Sequence, residues 1–283
     1  MATLWRAVGG VTGGGAGGAL GFGTGRAFES GVLWAVLAIA GLVALTVVLY
    51  LVARLRATPG SASGELMPGL LLGLNTGVNG ALAVALVGFG GLVVCVIPAL
   101  AVIAPLARTG VYQGFLGWAN LLLPMSWVVI ALGLAFVLVS GLLALVNLPF
   151  GGSFLRIEKL TVDLGTGTTY LVGGMAGNGN LNPNSDGFNM GSFAFLQSGH
   201  DSAYLEKHEA GHTLNLGIWG FVVHFIGALD ENVFGNGPRA YTELFAESHV
   251  PADQGRRPTF FPMWCDPVAA PAPAPAASAA VGA

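Results

Sequence analysis

Charge is what this sequence most lacks. Only 9% of its 283 residues are Asp, Glu, Lys or Arg, against 54% that are hydrophobic, whereas soluble domains carry about 25% charged residues. The shortage is also uneven. Residues 1–154 hold just Arg6, Arg26, Glu29, Arg54, Arg56, Glu65 and Arg108. A surface so poor in charge is suited to lipid rather than water. With a net charge of -3 and no basic cluster to track phosphates, nucleic acid is excluded as an expected partner. The two cysteines, Cys95 and Cys265, are far apart, so no disulfide framework is expected. The N-terminus also lacks the basic, apolar and cleavage-site order of a signal peptide. The first long apolar run is therefore expected to serve as an anchor itself.

Three apolar runs reach the length of about 20 residues needed to cross a bilayer. They cover 31–53, closed by Arg54 and Arg56, then 80–104, then 125–147, stopped by Pro149 and Gly151. Three crossings would put positions after Leu55, Arg108 and Glu158 on alternating sides. Arg54, Arg56, Arg156 and Lys159 then share one side, against Arg6, Arg26 and Arg108. The positive-inside rule turns that balance into a cytoplasmic C-terminal domain, in a membrane of the bacterial inner or plasma type. Residues 110–124, with Tyr112, Phe115 and Trp118, read as an interfacial or re-entrant piece. Residues 1–30 are glycine-rich. No strand and helix flank them as a phosphate loop requires, so they read as a flexible or interface-lying segment.

The second half has a different chemistry, and all five histidines lie in it, from His200 to His249. Residues 155–164 and 168–172, joined by Gly165-Thr166-Gly167, read as a hairpin. Residues 176–189 read as an Asn- and Gly-rich loop. Asn180, Asn182, Asn184 and Asp186 alternate in it, but one carboxylate does not make a calcium loop. Residues 191–197 look like another strand, and one able to pair with extended substrate. The chain closes in Pro-Ala repeats expected to be disordered. The expected architecture is a Gly-rich segment over 1–30, a transmembrane α-helical domain over 31–150, a small α+β metal-binding domain over 151–262, and a tail over 263–283.

The chemistry sits in His208-Glu209-Ala210-Gly211-His212. Asp201 or Ser202 caps a helix there. On it, residues four apart share a face one turn apart, so His208 and His212 converge on one metal. Glu209, rotated by about 100°, stands beside the open coordination position. This is the zincin arrangement, with two histidine ligands to zinc and Glu209 as general base toward the attacking water. A third protein ligand is required. Six residues past His212 stands Ile218, so the metzincin pattern fails. His224, in an apolar stretch, reads as a packed histidine. Between Pro238, which can start a helix, and Pro251, which bars its continuation, Glu243 and Glu247 again share one helical face.

His208-Glu209-x-x-His212 followed by Glu243-x-x-Ala246-Glu247 resembles the gluzincin pattern, and the preceding apolar helices are similar in layout to M48-type and minigluzincin membrane peptidases. The resemblance covers residues 205–249. It implies Glu243 as third zinc ligand and Glu247 as the acid that orients a ligating histidine. M48-type enzymes carry Asp at that second position, so Glu247 departs from the pattern. The sequence therefore leads to a membrane-anchored, zinc-dependent endopeptidase acting on polypeptide at the bilayer. Two rivals stand beside it. One is a non-catalytic membrane protein whose metal site is structural or degenerate, closed by His249 or Asp230. The other is a site-2-type intramembrane protease with Asp230 as ligand, although Leu229-Asp230 is followed by Glu231 rather than Gly.

Overall fold

In the computed structural model the chain is described over residues 2–56, 61–107, 109–179 and 186–234, and at 242 and 246. It is mostly helical with one small sheet. The helices are α1 (Ala2–Ser30), α2 (Val32–Arg56), α3 (Ala62–Val87), α4 (Leu92–Ala99), α5 (Ala104–Ala107), α6 (Gly110–Ala119), α7 (Trp127–Asn147), α8 (Gly174–Asn178) and α9 (Ala203–Asn232). Four stretches are long and apolar enough to cross a membrane: Val32–Leu55, Ala62–Val87, Pro124–Asn147 and Ala203–Asn232. The first and third match two of the runs read from sequence.

The glycine-rich N-terminus corrects the expectation of a flexible segment. It is helix α1, and it lies against α3. A Cβ at Gly9, Gly13 or Gly17 would collide with the backbone of Leu66, Leu70 or Leu74, and one at Gly69, Gly73 or Gly77 with the backbone of α1. Glycines four residues apart on both helices thus form facing grooves, and the backbones touch. Such small-residue packing drives helix association where lipid supplies no hydrophobic force. The order of contacts, Gly9 with Leu66 and Gly21 with Val78, makes the two helices parallel. At their start Arg6 is buried and donates to Glu65 Oε2 (2.9 and 3.1 Å) and to the carbonyl of Val102 (2.9 Å).

The second expected span, 80–104, is also corrected. The helix long and apolar enough to span here is α3, whose Asn75 and Asn79 are buried and hydrogen-bonded to each other. Gly88 ends it at φ 74°. The chain then doubles back. Gly91 packs on Ala83, Leu92 and Cys95 approach Gly80, and Val102 reaches Gly10. Residues 89–102 therefore return along α3 to the Arg6–Glu65 end. That puts Val102 at the same end as Leu55, so the expected alternation between positions after Leu55 and Arg108 does not hold.

The sheet order is β1-β2-β4-β3, with β1 (Ile157–Asp163), β2 (Thr168–Gly173), β3 (Gly187–Met190) and β4 (Phe193–Leu196). The β1–β2 hairpin matches the sequence reading. β2 and β4 are parallel, and β3 and β4 antiparallel. The strand expected over 191–197 is β4, but it is an inner strand; the edge beside it is β3. The loop expected over 176–189 is partly α8 and β3, and residues 180–185 lie outside the described residues. Alternate side chains commit the sheet to two layers. Leu171, Phe195 and Phe193 pack on Phe136 and Val137 of α7. Tyr170, Val172, Ala194 and Leu196 face Leu205 of α9.

Helix α9 is broken at Gly220, with φ 79° and ψ 177°, a backbone state suited to glycine. The break leaves carbonyls of the preceding turn without helical donors. Asn75 Nδ2 serves two of them, Gly217 O at 3.2 Å and Ile218 O at 3.1 Å. The bend has a large consequence. Residues 212 and 224 would lie about 18 Å apart along a straight helix, yet the rings of His212 and His224 are 6.2 Å apart.

Candidate metal centre

The motif lies on the first arm of α9. Ser202 caps it, its hydroxyl accepting from Leu205 N. Contacts from β2 fix this arm to the sheet: Tyr170 O–H donates to Glu206 O at 2.8 Å, and Thr168 and Thr213 hydroxyls meet at 3.0 Å. Lys159 reaches Glu206 at 2.7 Å and Asp201 at 3.4 Å. The Glu206 contact is the main reason the Lys159 pKa is raised. Burial raises that of Tyr170. On the other side, Asn120 Nδ2 donates to Thr213 O at 2.8 Å, tying the arm to the end of α6.

His208 Nε2 and His212 Nε2 stand 3.2 Å apart. Two imidazole nitrogens each about 2.0–2.1 Å from one tetrahedral zinc would lie roughly 3.3 Å apart. The pair has the separation such an ion requires. Behind His212, Asn215 Nδ2 lies 3.2 Å from Nδ1, while the buried Asn215 Oδ1 has no hydrogen-bond partner. Turning that carboxamide by half a turn satisfies the oxygen with Nδ1–H. It also directs the Nε2 lone pair toward His208, the tautomer a metal ligand needs. Asn215, one helical turn past His212, was missed from sequence although its i+3 spacing places it on the face of the histidine pair.

Glu209 is buried, with 3% of its surface exposed. Its Oε1 faces the edge strand: a Cβ at Gly187 would come within 3.2 Å of it. Asn189, also on β3, donates to Glu209 O at 3.0 Å and to Thr213 Oγ1 at 3.1 Å. His224 Nε2 lies 3.3 Å from Asn189 O. Glu209, the edge strand and the histidine pair thus meet at one place.

Glu243, Glu247 and His249 lie outside the described residues. Two residues near them are described: Ala246 packs on Gly211, and Thr242 on Gly227. Among the described residues no third His, Cys, Asp or Glu joins His208 and His212. Asp230 in particular is held elsewhere. It accepts from Tyr50 O–H at 2.9 Å and faces Arg54 Nε at 2.6 Å. Comparison of the chain with protein-family models, with curated proteins and with solved structures finds no match.

Proposed function

We propose that this chain is a membrane-anchored zinc-dependent endopeptidase. The observation that carries the reading is the 3.2 Å convergence of His208 and His212 Nε2 beside a buried Glu209 that faces an edge strand. His208, His212 and Glu243 hold the ion in this proposal, and Glu247 orients a ligand. Zinc, when bound, acidifies a coordinated water to a pKa of about 7 and polarises the scissile carbonyl. Glu209 accepts the proton of the attacking water and delivers it to the departing amine. Asn215 fixes the His212 ring. The polypeptide substrate lies extended beside β3, next to Glu209.

The cytoplasmic side is assigned to the Arg6 and Arg54 end of the helices, where Arg56 also lies, following the positive-inside rule. A site-2-type reading gains from α9 being long and apolar, and loses because Asp230 is bound to Arg54 and Tyr50. The deciding experiment measures zinc content and casein hydrolysis on detergent-purified chain. Glu209→Gln keeps zinc and abolishes turnover, while His208→Ala loses the metal. Equal loss of zinc in both variants refutes this division of roles.

A further inference from the structure

One face of the sheet is only partly covered. The row that packs on α7 through β2 and β4 continues onto β1, where Leu160 pairs with Leu171 and Val162 with Thr169. On β1 no helix among the described residues covers it. Leu160 is 58% exposed, Val162 50%, and Leu164 just beyond is 73% exposed. The opposite row of the same strand is polar. Lys159 and Asp163 point to α9, pairing with Glu206 and Lys207, and Thr161 lies between them. A strand that turns charge toward its own helix and leucine outward inverts the order expected of a strand in water.

The apolar row does not stand alone. Along one border lies α7, a 21-residue helix with no charged side chain and much of its surface exposed. At the other end the Trp118 indole donates to Leu164 O at 3.1 Å, and Phe115 one turn earlier is exposed. An apolar surface this continuous is rare on a water-facing domain. Tryptophan at its margin is the side chain that favours the headgroup level. We propose that the outer row of β1 is a lipid-contact face, seating the sheet in the boundary between headgroups and acyl chains. The depth follows from the backbone. β1 is an edge strand, and its free amides need water or headgroup partners that the bilayer centre lacks. The occupant is the bilayer because the row is continuous with α7, which is itself long and apolar enough to span. The inference is independent of the metal chemistry on the other face of the sheet.

The test uses the full chain with Cys95 and Cys265 replaced by alanine, reconstituted in phosphatidylcholine–phosphatidylglycerol vesicles. Spin labels are placed singly by Leu160→Cys, Val162→Cys and Thr161→Cys. Collision with oxygen and with a water-soluble nickel chelate is then read. The expected result is an oxygen-to-nickel ratio at 160 and 162 several-fold that at 161, with quenching by lipid nitroxides strongest for those near the headgroup. Equal nickel access at all three sites overturns the proposal, because the face is then in water. Shielding of 160 and 162 from both reagents overturns it too, because a protein surface then covers them. Circular dichroism and elution volume establish that each labelled chain is folded. If Leu160→Cys is not, Val162→Cys against Thr161→Cys decides alone.

Discussion

Replacing Asp230 by alanine separates a ligand from a structural anion. Its carboxylate is almost wholly buried, with Arg54 Nε at 2.6 Å and the Tyr50 hydroxyl at 2.9 Å. Removing one member of a buried pair costs about 3–5 kcal/mol, because the remaining charge is stranded. The Arg54 side chain keeps 19% exposure, so water relieves part of that penalty and the low end, about 3 kcal/mol, is expected. For a chain of this size that corresponds to a fall of about 6–12 °C in midpoint. Tyr50→Phe removes only a hydrogen bond to a charged acceptor, about 1.5–3 kcal/mol. The two losses should be less than additive, since both act on one carboxylate. Zinc per chain should be unchanged throughout. The assay is thermal unfolding in detergent with metal analysis of the folded fraction. A folded Asp230→Ala chain devoid of zinc would refute the reasoning and make Asp230 a ligand.

Other outcomes are equally definite. Glu243→Ala should purify largely without zinc, whereas Glu247→Ala should retain metal and lose about 10–100-fold in affinity or activity; metal titration distinguishes them, and the reverse pattern exchanges their roles. Gly13→Leu drives a side chain into the Leu70 carbonyl and should destabilise by about 1–3 kcal/mol or more. Gly15→Leu, where nothing lies within 4 Å, should not, and comparable midpoints for the two would discredit the α1–α3 contact. Reporters placed after Leu55 and after Ala107 should lie in the same compartment, since residues 89–102 return along α3; opposite compartments would restore three simple crossings.

What could be read in advance was whatever depends on local spacing. The i, i+4 histidines, the Ser202 cap and the β1–β2 hairpin are short-range patterns, and each falls where the residues put it. The α1 helix shows where such reading stops. Glycine lowers helix propensity by about 1 kcal/mol per residue, so a glycine-rich run reads as flexible. Its real signal was the four-residue spacing of Gly9, Gly13, Gly17 and Gly21. That spacing has meaning only beside the matching glycines on α3, far along the chain. In the same way Pro68, Asn75 and Asn79 argue locally against a span, yet all lie within α3. The asparagines are tolerated because each finds a partner inside the helix cluster.

The break at Gly220 joins these observations. A straight α9 would carry His224 away from the motif. The bend instead brings the second arm back, so that His224 reaches the β3 carbonyl of Asn189 and Gly227 receives Thr242. The bend exists because Asn75 replaces the hydrogen bonds it breaks. Asn79 holds Asn75 Oδ1 at 2.9 Å and accepts from Met125 N at 2.9 Å. Asn120, itself bonded to Ser126 at 3.3 Å, holds Thr213 O. Three buried asparagines on α3 and at the end of α6 therefore set the angle at which the motif helix leaves the helix cluster. The position of the histidine pair is fixed from within that cluster, not by the sheet alone. For a site whose proposed substrate arrives at the bilayer, this is the physical link between the two halves of the chain.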